Sequence, residues 1–466
     1  MGTGKKKGAS AGRRSVNVVT LGCSKNLVDS ERVLKMLSDA GFDAWHQTDR
    51  PTDIVVVNTC GFIGDAKEES VNTILEFCGA KQDGRIRELY VMGCLSERYR
   101  EELKSEIPEV DRFYGKYDWT GLVDDLLARD REEELTYGRR ITTPSHHAYL
   151  KISEGCDRFC AFCAIPLITG RHHSRPVEEI LEETRRLAAS GVKEINVIAQ
   201  DLSSYGKDLY GSLSLGRLID SMADVEGIER IRLHYAYPAE FPRDILEVMR
   251  RRPNVCSYLD IALQHISDNV LTKMRRHITA AETRALLDEI RREVPGIHLR
   301  TTLMVGFPGE TEEDFLQLMD FVREQRFERM GAFAYCEEEG TFAARNLPDE
   351  IPADVKQDRL GRLMALQEEI SLEIQQEKVG KTFKVIIDSE EEDYFVGRTE
   401  YDSPEVDPEV LVKKTLPLSA GDIVEVRITD ALPFELIGTP LESPGENDGP
   451  DHAGDGGKNT NPGAEG

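Results

Sequence analysis

The sequence predicts an α/β protein built in three parts: an N-terminal doubly wound parallel α/β domain, a central partial (β/α)6 barrel and a small C-terminal antiparallel β-barrel. Three observations predict it. Between Val16 and Gly93, short continuously apolar runs alternate with helix-length segments, the pattern of parallel strands covered by helices on both faces. From Ala148 to Cys336 the alternation resumes and yields six strands, as in an open barrel with chemistry at the strands' carboxyl ends. After Thr382 the apolar period drops to two, with turn signals between short runs.

The expected boundaries follow from these shifts. Residues 1–15 form a basic arm and 441–466 an acidic Gly/Asp/Pro-rich tail; both compositions predict disorder. The ordered parts are 16–135, 148–378 and 379–440, with a linker at 136–147. Nine cysteines, and basic residues Lys5–Lys7 followed by no apolar stretch, predict a cytoplasmic protein that uses thiols for metal or redox work rather than disulfides. No apolar run approaches the roughly 20 residues of a membrane span, so no membrane partner is expected. The net charge of −26 suits a basic partner better than a phosphate backbone. The chain is expected to be a monomer.

In order, Val16–Leu21, Ile54–Val57 and Leu89–Met92 read as buried strands. Helices are expected over 26–40, 64–78 (Val71, Ile74, Leu75 and Cys78 on one face) and 119–135. Cys23, Cys60 and Cys94 each stand just past the carboxyl end of a successive strand. In a parallel sheet those ends share one edge, so residues far apart in sequence form a three-thiolate site. In the barrel, strands at 148–153, 194–200, 230–235, 259–263, 298–305 and 330–336 alternate with helices, and a long helix spans 354–378. Cys78 reads as core, Cys256 as a structural loop residue and Cys336 as structural at the end of the sixth strand.

The loop after the first barrel strand holds Cys156, Cys160 and Cys163, spaced C-x3-C-x2-C. Three thiolates suit a [4Fe-4S] cluster with one iron left open, since four normally hold one. A zinc ion completed by a distant His is the alternative, although no fourth ligand stands at finger-like spacing. Gln200, Asp201 and Gln264 are polar groups at strand exits. The turn Gly306–Thr311 either offers backbone donors to a ligand carboxylate or simply caps a helix, with Asp314 three residues after Thr311.

The cysteine loop resembles the signature of radical S-adenosylmethionine (SAM) enzymes. The resemblance implies that SAM chelates the open iron and yields a hydrogen-abstracting radical, and it places Phe162 near the adenine. With Cys23, Cys60 and Cys94 and a TRAM-like C-terminal barrel, residues 16 to 440 look like the methylthiotransferase branch. That implies a second [4Fe-4S] cluster on the N-terminal trio, a sulfur donor and an external electron donor. Ile198–Asp201, Leu263–Asp268 and Arg398–Asp407 look most like the RimO subgroup, which modifies the beta carbon of one aspartate in small-subunit ribosomal protein twelve. Sibling subgroups modify adenosines of transfer RNA. Residues 381–440 hold six Lys/Arg against fourteen Asp/Glu, net −8, including the run Glu390–Asp393. Such a barrel should repel RNA and attract a basic ribosomal protein. A cobalamin enzyme would often carry Asp-x-His-x-x-Gly, which is absent; Gly380-Lys381-Thr382 lacks the earlier glycine of a phosphate loop. A non-catalytic iron–sulfur carrier would not need the barrel.

Overall fold

A computed structural model describes residues 14–127 and 138–441. The expected arm before residue 14, the end of the 119–135 helix, the start of the linker and the tail after residue 441 lie outside the described residues.

The N-terminal domain runs β1 (Ser15–Thr20), α1 (Ser24–Asp39), β2 (Asp43–His46), β3 (Ile54–Thr59), α2 (Gly64–Gln82), β4 (Glu88–Gly93), α3 (Cys94–Glu106), β5 (Arg112–Phe113) and α4 (Trp119–Leu127). Its five strands are all parallel, in the order β2-β1-β3-β4-β5. Successive strand residues point to opposite faces. Val16, Val18, Ile54 and Val56 therefore pack under α1 and α4, and Val55, Val57, Leu89 and Val91 under α2 and α3. All six residues of β3 are buried, which is why its sequence shows no alternation. Three elements escaped the sequence reading: β2 and β5 are four and two residues long, and α3 buries only Leu95, Ser96 and Leu103. The face assigned to α2 also needs correction. Ile74 and Cys78 enter the core, but Leu75 is half exposed.

The central domain contains β6 (His147–Lys151), β7 (Ser153–Glu154), α5 (Ile165–Thr169), β8 (His173–Ser174), α6 (Val177–Ala189), β9 (Glu194–Ile198), α7 (Lys207–Tyr210) and α8 (Leu215–Met222). It continues through β10 (Arg230–Ala236), α9 (Asp244–Arg251), β11 (Val255–Ile261), α10 (Asp268–Lys273), α11 (Ala280–Glu293), β12 (His298–Val305), α12 (Glu312–Gln325), β13 (Arg329–Ala334), α13 (Phe342–Asn346) and α14 (Ala353–Gln376). Six parallel strands form one open sheet, β13-β12-β11-β10-β9-β6. One face carries Leu150, Val197, Leu233, Ile261 and Leu303 into the main core. The buried polar residues of these strands include Glu194, Asn196, Arg230, Arg232, His234 and Asp260. Cys256 lies inside β11, not in a loop: the strand begins at Val255, and the thiol is buried.

The C-terminal domain is a closed barrel of β14 (Thr382–Glu390), β15 (Tyr394–Arg398), β16 (Glu409–Lys413), β17 (Ile423–Ala431) and β18 (Glu435–Pro440), in the order β14-β15-β16-β18-β17. One pair, β16 with β18, is parallel; the rest are antiparallel. Gly438 and Pro440 hid the fifth strand from its period-two pattern.

This barrel docks on the polar residues of the sheet. Arg398 Nη1 donates to Glu194 Oε1 at 2.8 Å, and its Nε and Nη2 grip Asp388 at 2.7 and 2.9 Å. Arg300 pairs with Asp407 at 3.2 Å, and the Tyr258 hydroxyl donates to Asp407 at 2.8 Å. Part of the barrel's acidic excess is thus spent inside the chain.

Two histidines at this seam are held neutral. Burial, with Arg398 nearby, pushes His147 down to about 4; burial, with Lys378 and Arg329, pushes His298 down to about 3. Both folded values lie below the ordinary 6.5, so the stability they contribute is present above pH 6.5 and is lost as pH falls toward 4 and then 3. Thermal unfolding followed between pH 7 and 4 should show the steepest loss in this window. Replacing His147 and His298 with Gln should flatten it.

Candidate metal and cofactor centre

The first trio is made by strand ends. β1, β3 and β4 finish at Thr20, Thr59 and Gly93, and Cys23, Cys60 and Cys94 follow on the same edge. Each thiol has a glycine beside it, and all three of these glycines are needed for close approach. A Cβ on Gly22 would lie 2.7 Å from Cys60 Cβ, and one on Gly61 would lie 2.7 Å from the Leu95 nitrogen that follows Cys94. Side chains there would push the three turns apart.

Electrostatics distinguish the three sulfurs. Cys23 is the N-cap of α1. It is solvent-accessible although the chain surrounds its sulfur densely. Burial opposes its ionisation, but Lys25, Lys116 and the backbone N–H groups of Asn26 and Lys25 outweigh that and lower its pKa. Burial pushes Cys60 up to about 11, with Cys23 and Cys94 adding repulsion, and raises Cys94 as well. The donor set is three soft sulfurs, with one weak contact from Cys94 Sγ to Asn26 Oδ1 at 3.5 Å, and fits iron–sulfur ligation.

The second trio sits on the loop between β7 and α5. Burial raises Cys156 to about 12 and Cys163 further, with Cys160 repelling both. Arg276 Nη1 donates to Cys160 Sγ at 3.2 Å, and the guanidinium groups of Arg158 and Arg276 lie 4.3 and 4.1 Å from the Tyr237 ring centre. Gly155 anchors the loop at φ +72°, and a Cβ there would meet the Arg171 carbonyl oxygen at 2.0 Å. Gly155→Ala should therefore displace the loop. Iron bound per chain should fall by about half while the N-terminal trio still loads, measurable by iron analysis and visible absorption.

The other sequence candidates fare differently. Gln200 donates through Nε2 to Glu154 at 3.3 Å, and its Oε1 is buried without a partner. Gln264, at φ 72°, joins β12 through its backbone and also leaves Oε1 buried and unpaired. Both are open to a polar ligand. Asp201 is committed inside the chain. It pairs with Arg158 at 2.7 Å, accepts from Ser203 N at 2.9 Å and receives the Ser204 hydroxyl at 2.6 Å, so it holds the cysteine loop by way of Arg158. Phe162 packs edge-on against Phe307, 6.3 Å between centres. The reading of Gly306 as a donor to a ligand carboxylate is corrected: its N–H is taken by Glu310 Oε2 at 2.8 Å. The same turn ends in a capping box between Thr311 and Asp314. Cys336 stands past the end of β13, exposed.

Elements that flank the two trios touch. Helix α3, which begins at Cys94, packs on α5, which follows Cys163. The N-terminal domain also reaches the end of β13, where Lys67 pairs with Glu338 at 2.7 Å and Arg98 binds the same carboxylate. Sequence reasoning missed the charged groups between the trios: Asp29, Lys116, Lys151 and Glu154. They are spread along the chain from position 29 to position 154, and only the fold assembles them. In a further group of possible ligands, His146, His147 and Asp388, the carboxylate is held by the Arg398 fork and by His146 Nε2 at 2.7 Å, while Nδ1 of each histidine is buried without a partner.

Comparison with known proteins agrees with this geometry. A radical SAM superfamily domain matches residues 150–322, a TRAM domain residues 379–441, and the uncharacterized protein family UPF0004 residues 15–115. The ribosomal protein uS12 methylthiotransferase RimO of Phocaeicola vulgatus is 60% identical over 431 residues, 92% of this chain and 100% of that one. The chain belongs to the RimO family of radical SAM methylthiotransferases. RimO of Porphyromonas gingivalis is 58% identical over 91% of this chain and 98% of its own, and that of Christiangramia forsetii 53% over 92% and 95%. Among solved structures, the radical SAM methyltransferase TsrM from Kitasatospora setae, with tryptophan and a SAM analogue bound, superposes with TM-score 0.53 at 17% identity over 69% of this chain and 73% of that one. That likeness is one of fold. Among the described residues no helix is long and apolar enough to cross a membrane.

Proposed function

We propose that this chain, like the relatives named above, is a methylthiotransferase acting on ribosomal protein uS12, and that its target is the beta carbon of an aspartate. The observation that carries this reading is the pair of three-cysteine sets, one on the carboxyl edge of the N-terminal sheet and one on the loop between β7 and α5, flanked by helices in contact, within a chain that matches its relatives over nearly their full length. Cys156, Cys160 and Cys163 would hold the cluster that binds SAM, and Cys23, Cys60 and Cys94 an auxiliary [4Fe-4S] cluster. When bound, these groups supply the electron, the hydrogen-abstracting radical and the methylthio group.

The chain's own residues do the rest. Gly155, Arg158 and Asp201 fix the loop of the second trio, and Arg276 donates to one of its sulfurs. Gln200 and Gln264 offer unpaired buried oxygens to a polar ligand such as SAM. The exposed acidic turn Glu390–Asp393 would meet the basic ribosomal protein, with Glu390 also pairing with Lys414 at 2.8 Å. An external electron donor and a sulfur donor complete the requirements.

The test offers purified, cluster-loaded enzyme uS12 and transfer RNA side by side. The expected result is a methylthio mass increment on uS12 with the RNA unchanged. Modified adenosine with unmodified protein would overturn this choice.

A further inference from the structure

The edge that presents three thiols has a fourth place. β5, the strand after β4 in the sheet, ends at Phe113, and its exit loop brings Lys116 to the same side. Where a fourth thiolate would complete the set, the fold delivers a cation. Lys116 is 2% exposed. Its Nζ lies 3.5 Å from Asn26 Oδ1, the same oxygen that accepts from Cys94 Sγ at 3.5 Å.

Lys116 is also the first of four charges in a row, of which Lys116, Asp29 and Lys151 are buried and Glu154 is partly exposed. It pairs with Asp29 at 3.1 Å; Asp29 pairs with Lys151 at 2.5 Å; Lys151 pairs with Glu154, two residues before Cys156. The signs run plus, minus, plus, minus from the N-terminal trio to the loop of the second. The positive end of the row meets Cys94 through Asn26 Oδ1, and its negative end stands two residues before Cys156 on the same loop, with the first three charges in surroundings where water screens little.

We propose that this row sets the two clusters at different reduction potentials, with Lys116 raising that of the cluster on Cys23, Cys60 and Cys94 and Glu154 lowering that of the cluster on Cys156, Cys160 and Cys163. Local charge is a main determinant of such potentials. The separation has a use. When a carbon radical takes sulfur from iron, a C–S bond forms, an Fe–S bond breaks and one electron stays on the cluster. A raised potential favours accepting that electron, whereas SAM cleavage calls for a strong reductant at the other cluster. The inference rests on the two-cluster reading above.

The test is an EPR-monitored redox titration of the fully loaded enzyme. Lys116→Met should lower the potential of the N-terminal cluster by at least a tenfold change in its reduction equilibrium, about 59 mV for one electron, and move the other cluster less. Glu154→Gln should raise the second cluster's potential and move the first less. Asp29→Asn, which unmasks Lys116, should raise the first; it decides the matter if Lys116→Met fails to load. Unchanged potentials, or equal shifts of both clusters, would overturn the inference. Iron analysis of the wild-type sample separates this from failure of the underlying reading: about four iron atoms per chain would mean that there is no second cluster.

Discussion

Cys160→Ala should abolish SAM cleavage outright, while Cys60→Ala should leave cleavage measurable and eliminate methylthio insertion. The two thiols belong to different trios on different elements, so each substitution empties one site and spares the other's ligands. Cys160 has the larger expected effect, because it also receives Arg276 at 3.2 Å and repels both neighbouring thiols, placing it at the centre of its loop. Cys60 is buried between Gly22 and Gly61, and replacing its sulfur with a methyl hydrogen should not disturb the barrel. The assay measures 5′-deoxyadenosine and modified uS12 in the same reaction. Equal cleavage in both variants would contradict the division of labour.

Arg398→Ala should be the most damaging change remote from the thiols. This side chain, 2% exposed, joins Glu194 of the sheet to Asp388 of its own barrel. Removing it leaves two carboxylates in poor solvent. Breaking a buried pair from one side costs about 3–5 kcal/mol. The lower end is expected, since Arg232 at 3.4 Å still faces Glu194 and His146 at 2.7 Å still holds Asp388. Denaturant unfolding should show that loss, together with proteolytic release of the C-terminal barrel before the sheet melts. A variant that is as stable as wild type would mean that the seam is held by something other than this arginine.

What the sequence made legible is what depends on local pattern. The buried strand β3 announces itself by an apolar run, and the loop at Cys156–Cys163 by spacing alone. The N-terminal trio was legible because a parallel sheet has one carboxyl edge, so three strand-end cysteines imply one site. What depends on tertiary pairing was not. Lys116 and Asp29 look like ordinary surface charges until β5 and α1 bring them together. Asp388, Asp402 and Asp407 counted toward an acidic docking face, yet the fold turns them onto Arg398, Arg329 and Arg300. Gly306 illustrates the opposite error. A glycine turn before a helix invites a ligand, but Glu310 four residues on already accepts its N–H.

All of this depends on two trios that each carry a cluster. Iron and acid-labile sulfide should therefore be counted per chain in anaerobically reconstituted enzyme and in a variant with Cys23, Cys60 and Cys94 all changed to Ala. About eight iron atoms in the wild type and about four in the variant are expected for two cubanes. About four in both would contradict the account.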